Sequence, residues 1–371
     1  MRIALVTESV FPDQLGGIQK YSSELAVYLK QQGHDVLLLH TLPAPKASIV
    51  FGSLGIECVH IPVQGKGIFI WKYLHLNREF SEKALKKAEE WGADIAYTQG
   101  FTGMAEASLG DSKMKVVHNF HGLEMFQPLQ GFKAKIIAVF FRNTVRGILH
   151  KARYAVALGN PLAKIMLGEN AQLIHDIIPN AVSDHWIKDI ENTLEGPRRF
   201  LFVGRYEWRK GVHILNEAIQ KVFANPKAKD MHFTFVGHIP EDKRLQHPQI
   251  HYAGPVYDEV VLKQFYASHD VLVNASFSEG MPTVVLEAMA MGMGIIATDC
   301  GATSDLVSES NGRLIPPFDA QALEKSILEF CELPAADLHS MGEFSQKMIK
   351  NTFNWEQIAD KHSSFFKKIC S

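Results

Sequence analysis

Residues 1–40 read MRIALVTESVFPDQLGGIQKYSSELAVYLKQQGHDVLLLH, and this stretch decides the fold class. Its first apolar run, Ile3 to Val6, is continuous, which is typical of a parallel strand buried on both faces. A second continuous run covers Val36 to Leu39. Between the two runs, apolar residues recur at helical spacing, and a glycine follows at a favoured helix end: Ile18, Tyr21, Leu25, Leu29 and Gly33. The stretch therefore predicts a strand–helix–strand unit of a parallel sheet.

The same alternation continues along the chain in two series. Apolar runs and helical spacings follow one another at residues 80–91, 95–97, 116–118, 200–204, 233–237, 271–273 and 295–298. Alternating strands and helices predict parallel sheets covered by helices. Between the two series lies a segment rich in charged residues, 183–199. It contains Gly196-Pro197, a pair typical of a domain junction. The prediction is an α/β protein with two Rossmann-like, doubly wound domains that face each other across a cleft.

Length and composition exclude several classes of protein. The chain has 371 residues, 46% of them hydrophobic, with a formal net charge of −2. This mix excludes disordered, collagen-like and disulfide-scaffold proteins, and the near-neutral charge argues against a nucleic-acid partner. The four cysteines form no C-x-x-C pair, which disfavours a zinc ribbon or a redox dithiol. Because no signal peptide or membrane-spanning run is evident, we expect a cytoplasmic protein.

The segment SFSEGMPTVVLEAMA, residues 276–290, follows a predicted strand and opens a helix near Thr283. Unpaired N–H groups and a partial positive charge at a helix start suit an anionic or hydroxyl-rich ligand. Glu287, eight positions after Glu279, is able to accept hydrogen bonds from vicinal ribose hydroxyls if it faces that ligand. The alternative is a helix cap at Glu279 and a solvated helix residue at Glu287.

The segment GRYEWRKG, residues 204–211, lies at the end of another predicted strand, where open α/β sheets bind ligands. Arg205 offers a planar fork suited to phosphate oxygens, and Lys210 supplies a compact positive charge. Together they are able to neutralise a diphosphate without a metal. The alternative is a pair of solvated loop cations.

In combination, these motifs resemble the retaining GT-B glycosyltransferases of family 4. Glu279 and Glu287 match the family's E-x7-E signature, and Arg205 and Lys210 match its R-x4-K pair. The resemblance covers nearly the whole chain, because it includes the N-terminal Gly-Gly loop, a mid-chain His-Gly pair and the last helix opened by Asn354-Trp355-Glu356.

The resemblance implies a role for each matching residue. Arg205 and Lys210 would hold the donor diphosphate and stabilise the charge on the leaving nucleotide. Glu287 would bind the nucleotide ribose, Glu279 would contact the transferred sugar, and His121 would lie near the scissile bond. The remaining residues expected to bind substrate, mainly through backbone N–H groups, are Gly16, Gly17, Gly280, Met281, Pro282, Thr283 and Val284.

The resemblance also implies the domains and the reaction. Residues 1–183 would bind the acceptor, residues 184–352 the donor, and residues 353–371 would form a helix that returns to the first domain. The activity would be transfer of a hexose, with retention, from a nucleotide-diphosphate sugar to a saccharide or lipid-linked saccharide in surface polysaccharide or glycolipid assembly. A UDP-sugar is the expected donor, and no metal or other cofactor is expected because no D-x-D motif is present.

Two departures from the family pattern weaken any inference about the donor sugar. The usual P-N-G-V-D reads PNAVS at residues 179–183, and the usual G-G-x-x-E reads GATSD at residues 301–305. Two other functions also fit the architecture, a nucleotide-sugar epimerase and a catalytically silent nucleotide-sugar-binding subunit. The combined R-x4-K and E-x7-E pairs disfavour the epimerase. The silent subunit is disfavoured because all the matching site residues are intact, namely His121, Arg205, Lys210, Glu279 and Glu287. A nicotinamide-dependent dehydrogenase would need G-x-G-x-x-G, which residues 11–17 do not supply.

Residues 125–168 contain lysine and arginine but no aspartate or glutamate. If residues 131–153 form one continuous helix, four cations share one face of it: Lys135, Arg142, Arg146 and Arg153. Such a basic amphipathic helix predicts binding to an anionic membrane surface, which would place the cytoplasmic protein at the inner face of a membrane. The alternative is a solvated basic face on a helix whose apolar side packs on its own domain.

Overall fold

The computed structural model describes residues 1–64, 70–188, 197–226 and 231–371. These residues form two compact units, one made of residues 1–180 and 355–371 and the other of residues 181–354. Gly196, at the predicted domain junction, lies outside the described residues.

The elements are numbered along the chain. The strands are β1 Arg2–Thr7, β2 Asp35–His40, β3 Glu57–His60, β4 Ile95–Gln99, β5 Lys115–Asn119, β6 Tyr154–Ala157, β7 Ile174–Ile177, β8 Arg198–Val203, β9 Met231–Val236, β10 Ile250–Gly254, β11 Val271–Asn274, β12 Gly294–Thr298 and β13 Gly312–Ile315. The helices are α1 Gly17–Gln31, α2 Pro45–Ser53, α3 Ile70–Glu90, α4 Phe132–Leu149, α5 Asn160–Glu169, α6 Val212–Phe223, α7 Glu259–Ala267, α8 Thr283–Ala290, α9 Ala320–Glu332, α10 Ala335–Thr352 and α11 Trp355–Cys370.

The first unit contains a parallel sheet in the strand order β3-β2-β1-β4-β5-β6-β7. Strand β1 lies inside this sheet, where Ile3 pairs with Val36 of β2 on one side and with Ile95 of β4 on the other. Its continuous apolar run is buried, as predicted for a strand covered on both faces. The strand order reverses between β1 and β4, and ligands of open α/β sheets bind beyond the strand ends at such a point.

The second unit repeats this arrangement in the order β10-β9-β8-β11-β12-β13, and its strands are also parallel. Its core includes stacked phenylalanines of neighbouring strands, such as Phe200 of β8 and Phe233 of β9, whose rings lie 5.9 Å apart. The strand order reverses between β8 and β11. The two segments singled out in the sequence, residues 204–211 and 276–290, directly follow these two strands. The prediction of two doubly wound α/β domains is confirmed.

Helix α11 belongs to the first unit although it ends the chain. It packs against α1, where Trp355 stacks on Tyr28 with ring centroids 5.9 Å apart. Buried residues recur along one side of α11, including Ile358, His362 and Phe366. The polar member of this side, His362, therefore needs hydrogen-bond partners inside the unit.

The predicted continuous basic helix over residues 131–153 is wrong in part. Helix α4 ends at Leu149, so Arg153 lies outside it. The Arg153 carbonyl accepts the N–H of Ile174, in the edge strand β7, at 3.0 Å. Two of the expected surface cations are bound within the unit. The Arg142 guanidinium donates to the Met125 carbonyl at 2.6 Å and 3.1 Å, and Arg146 donates to both carboxylate oxygens of Glu169 at 3.0 Å.

The exposed side of α4 carries apolar residues instead. Phe132 is 79% exposed, Ile136 43% and Val139 48%, and their spacing places them on one side of the helix. Lys133 and Lys135 are also exposed between them. Among the helices that the structure describes, none is long and apolar enough to cross a membrane.

Candidate active site

The loops after β8 and β11 are fastened to each other. The first loop contains a short 3₁₀ turn, Trp208–Lys210, and then Gly211 in the left-handed conformation, with φ of 65°. A Cβ atom on Gly211 would lie 2.0 Å from the carbonyl oxygen of Ala275, so only glycine fits this close approach. The N–H of Phe277 donates to the Arg209 carbonyl at 2.7 Å. These contacts bring the R-x4-K segment against the first glutamate of the E-x7-E segment.

Lys210 and Glu279, both predicted site residues, form an ion pair. The Lys210 Nζ lies 2.6 Å from Glu279 Oε1, and Arg209 Nη1 lies 3.2 Å from Glu279 Oε2. Burial by itself would raise the pKa of the Glu279 carboxyl, but the positive charges of Lys210 and Arg209 outweigh it and lower that pKa. Glu279 is therefore an ionised, buried carboxylate held between two cations.

Glu207 continues this cluster outward. Its carboxylate accepts hydrogen bonds from Arg205 Nε through one oxygen and from Arg209 Nε, at 2.9 Å, through the other. The Arg205 side chain is 73% exposed, whereas the Lys210 side chain is only 15% exposed. The alternative of a solvated cation is therefore wrong for Lys210 but describes Arg205. Three cations alternate with two carboxylates, and the surplus of positive charge suits an anionic ligand.

The predicted substrate-binding segment Gly280–Val284 leads into α8, with Pro282 at the N-cap and Thr283 as the first helical residue. The turn before α8 is held by the loop after β12, because the Gly280 carbonyl accepts the N–H of Ala302 at 2.7 Å. Gly301 lies so close that a Cβ there would be 2.2 Å from the Glu279 carbonyl oxygen. Met281 and Pro282 are buried, whereas Gly280, Thr283 and Val284 are partly exposed. The Val285 N–H donates to the carbonyl of the N-cap residue Pro282 at 3.1 Å, whereas the N–H groups of Thr283 and Val284 precede any acceptor of the helix ladder and are directed toward its start.

Glu287 is buried, at 9% exposure, so the alternative of a solvated helix residue is wrong. The Tyr266 hydroxyl, from α7, donates to Glu287 Oε2 at 2.7 Å. Burial and the adjacent carboxylate raise the pKa of the Tyr266 phenol well above its usual range, so the phenol keeps its proton and remains a donor. Tyr266 therefore holds the carboxylate in a fixed orientation.

His121 follows β5 in the first unit and adopts the left-handed conformation, with φ of 58°. This backbone costs a non-glycine residue about 1–3 kcal/mol and persists where surrounding contacts hold it. The Asn119 side chain supplies one such contact, because its Oδ1 accepts the His121 N–H at 2.8 Å.

The ring of His121 is fixed as well. Its Nε2 lies 2.6 Å from Gln99 Oε1, an amide oxygen that can only accept, so Nε2 carries the proton and Nδ1 is an acceptor. Burial of the imidazole, together with the nearby His362, lowers the pKa of His121 to about 3. His121 is therefore neutral at physiological pH.

The last two predicted site residues, Gly16 and Gly17, begin α1 in the first unit. Gly16 occupies the N-cap position, and its carbonyl accepts the N–H of Lys20 at 3.0 Å. Its φ of 160° is extended backbone that any residue adopts, and a Cβ there would meet only the flexible end of Gln19. Close approach of a diphosphate to this pair stays a prediction.

Comparison with known proteins identifies the class. The fold and the motifs are those of a two-domain GT-B glycosyltransferase. The family described as Glycosyltransferase Family 4 matches residues 15–185, and the one described as Glycosyl transferases group 1 matches residues 197–332. The chain therefore belongs to glycosyltransferase family 4, as its motifs indicate.

Two relatives and one solved structure illustrate the similarity. The chain is 37% identical over 133 residues to TuaC of Bacillus subtilis, a candidate teichuronic acid biosynthesis glycosyltransferase, but this match spans only 36% of the chain and 33% of TuaC. It is 26% identical to the phosphatidyl-myo-inositol mannosyltransferase of Mycolicibacterium smegmatis, over 90% of the chain and 85% of the relative. The structure of Anabaena Alr3699/HepE in complex with UDP shares the fold, with a TM-score of 0.71, 16% identity and coverage of 99% and 100%.

Sequence reasoning missed the residues that hold the predicted ones. These are Gln99, Asn119, Glu207, Arg209 and Tyr266. Glu207 and Arg209 lie inside the quoted R-x4-K segment, and their charges were a signal that could have found them. The other three contact the site from separate elements, and no local pattern marks them. Within the described part of the chain, no group of three or more His, Cys, Asp or Glu side chains is placed to hold a metal ion.

Proposed function

We propose that the chain is a retaining hexosyltransferase with a UDP-sugar as donor. The observation that carries the proposal is the charge cluster of Arg205, Arg209 and Lys210 with Glu207 and Glu279, located where the strand order of the second sheet reverses. Such a place is where open α/β sheets bind nucleotides, and the surplus of positive charge complements a diphosphate. The UDP complex of HepE supports the choice of uridine.

In the proposed reaction, Arg205 and Lys210 stabilise the charge that develops on the diphosphate as its bond to the anomeric carbon breaks. The acceptor hydroxyl forms the new bond to that carbon on the face that the phosphate leaves, and its proton passes to the departing phosphate oxygen. The configuration is thereby retained without a protein nucleophile. Glu279, which is ion-paired with Lys210 and Arg209, does not act as a nucleophile but contacts hydroxyls of the transferred sugar. His121, neutral and with Nδ1 as an acceptor, receives a hydrogen bond from another sugar hydroxyl.

The nucleotide is held at its ribose by Glu287. A carboxylate can only accept hydrogen bonds, so it suits two vicinal hydroxyls. The hydrogen bond from Tyr266 fixes the carboxylate before the ligand arrives, which reduces the ordering required on binding. The backbone N–H groups at the start of α8 complete this half of the site by binding phosphate or sugar hydroxyls.

The acceptor we propose is a saccharide or lipid-linked saccharide, because one relative is named for teichuronic acid biosynthesis and the other is a phosphatidyl-myo-inositol mannosyltransferase. The exposed residues Phe132, Ile136 and Val139, with Lys133 and Lys135 between them, form what we call the α4 apolar surface. Apolar side chains beside lysines, in a segment without a carboxylate, complement an anionic bilayer. This surface replaces the arginine face expected from the sequence.

The test is UDP release from a panel of UDP-hexoses, with and without vesicles of phosphatidylinositol and phosphatidylglycerol. We expect wild type to release UDP from one donor and Lys210→Met to lose this activity. The matched control is Lys221→Met, because Lys221 pairs with Glu217 on the exposed side of α6. Proton NMR of the product should show the anomeric configuration of the donor. Binding of UDP without release from any donor would favour the silent subunit, and conversion of the donor sugar would favour an epimerase.

A further inference from the structure

A buried polar cluster connects the end of the chain to the strand that carries His121. Its members are Tyr21 of α1, Tyr97 of β4, Asn119 of β5 and His362 of α11, all of them at most 3% exposed. The Tyr21 hydroxyl lies 2.9 Å from His362 Nε2 and 3.1 Å from the Tyr97 hydroxyl, which itself lies 3.1 Å from His362 Nε2. Asn119 Nδ2 donates to the Tyr97 hydroxyl at 2.9 Å. The function proposed above does not use this cluster.

The direction of the hydrogen bonds is fixed at the His362 end. The ring Nδ1 lies 2.8 Å from the carbonyl oxygen of Ile358, which can only accept, so Nδ1 carries a proton. Burial lowers the pKa of His362 to about 4, so the ring is neutral and Nε2 is an acceptor. Both tyrosine hydroxyls meet that acceptor, and burial raises the pKa of each phenol, so both keep their protons.

The direction is also fixed at the Asn119 end. Because Asn119 Oδ1 accepts the His121 N–H, the amide nitrogen must be on the other side, facing the tyrosines. Two arrangements of protons fit these contacts, because the two hydroxyls share two protons: one tyrosine donates to the other, which donates to His362 Nε2. In both arrangements the Tyr97 oxygen accepts from Asn119. A terminal acceptor at position 362 therefore favours the amide orientation that binds His121.

We infer that His362 is a positioning residue, which sets the orientation of Asn119 and thereby the left-handed backbone of His121. Tyr21 adds a direct contact, since its ring meets the His121 ring edge-on at 4.8 Å. Helix α11 thus contributes to the site although none of its residues needs to touch a substrate. The inference rests on the proposed function for the role of His121, and the geometry it describes is measurable without that function.

The test compares His362→Phe, which removes the terminal acceptor, with His362→Gln, which keeps one. Phe365→Leu is the matched control, because Phe365 is buried on α11 but has no part in the cluster. Tyr97→Phe removes the hydroxyl that accepts from Asn119, and it keeps the inference testable if His362→Phe does not fold. Two readouts are used: hydrogen exchange of the His121 amide by NMR, and UDP release from the donor that wild type accepts.

We expect His362→Phe and Tyr97→Phe to exchange the His121 amide at least fivefold faster than wild type and to release UDP at least fivefold more slowly. His362→Gln and Phe365→Leu should stay within about twofold of wild type in both readouts. Unchanged exchange in His362→Phe and Tyr97→Phe, or an equal change in Phe365→Leu, would overturn the inference. If wild type releases no UDP from any donor, the proposed function fails, and the exchange rates still decide the positioning role.

Discussion

The buried, neutral state of His362 has a measurable consequence for stability. Its folded-state pKa is about 4, whereas an unfolded histidine titrates near 6.5. Between these pH values the unfolded chain binds a proton at this position that the folded chain does not. Stability is therefore lost as the pH falls from 6.5 toward 4, and replacing His362 by glutamine should remove this loss.

The size of the effect follows from the two pKa values. Linkage between protonation and folding gives a loss of about 2 kcal/mol between pH 7.5 and pH 5 that wild type shows and His362→Gln does not. Other titrating groups are common to both proteins, so they cancel in the comparison. Phe365→Leu, the control, should lower stability by the same amount at both pH values.

The assay is native-state hydrogen exchange of the β1 amides at both pH values, corrected for intrinsic exchange rates. Because β1 lies inside the sheet of the first unit, its most protected amides report the opening of that unit separately from the second. If wild type and His362→Gln lose the same free energy between pH 7.5 and pH 5, His362 is not held as a neutral, buried acceptor. The hydrogen-bond directions deduced from it would then be wrong.

Three further predictions concern the site and the membrane. Lys210→Met should slow UDP release by about 10²–10³-fold, as loss of a preorganised charge at the leaving group does, and turnover equal to wild type would contradict its role. Tyr266→Phe should weaken UDP binding about tenfold in calorimetry, because a charge-assisted hydrogen bond is lost, and an unchanged affinity would refute the positioning of the ribose-binding carboxylate. Phe132→Ser combined with Ile136→Ser should weaken sedimentation with anionic vesicles at least tenfold, whereas Ile49→Ser, on α2, should not. Absence of vesicle binding by wild type would reject this surface.

The fold was predictable because its strands are buried on both faces. A strand such as β1 then reads as an uninterrupted apolar run, and the helices between strands show a different period. The loops that follow β8 and β11 were predictable as sites for the same reason, since strand ends carry the ligands in such sheets. The family motifs supplied the identity of the residues.

The contacts that hold the site residues in place, and the end of helix α4, could not be predicted from the sequence. Tyr266 reaches Glu287 from another helix, and His362 reaches Tyr21 across 341 positions of sequence. No spacing rule connects such positions, because the sheet order and helix packing bring them together. The basic face over residues 131–153 was wrong in part because helical spacing says where side chains would lie but not where the helix ends. Helix α4 ends at Leu149, whose carbonyl accepts from Asn170 Nδ2 at 2.8 Å, so Arg153 lies outside the helix.

The most direct test of the central claim is calorimetric titration of wild type and Lys210→Met with UDP, with GDP and ADP as comparators. The proposed donor site predicts one UDP site in wild type, with an affinity at least about tenfold weaker in Lys210→Met and unchanged in Lys221→Met. Equal affinity in wild type and Lys210→Met, or no binding of any nucleoside diphosphate, would contradict a nucleotide-sugar site built on this cluster.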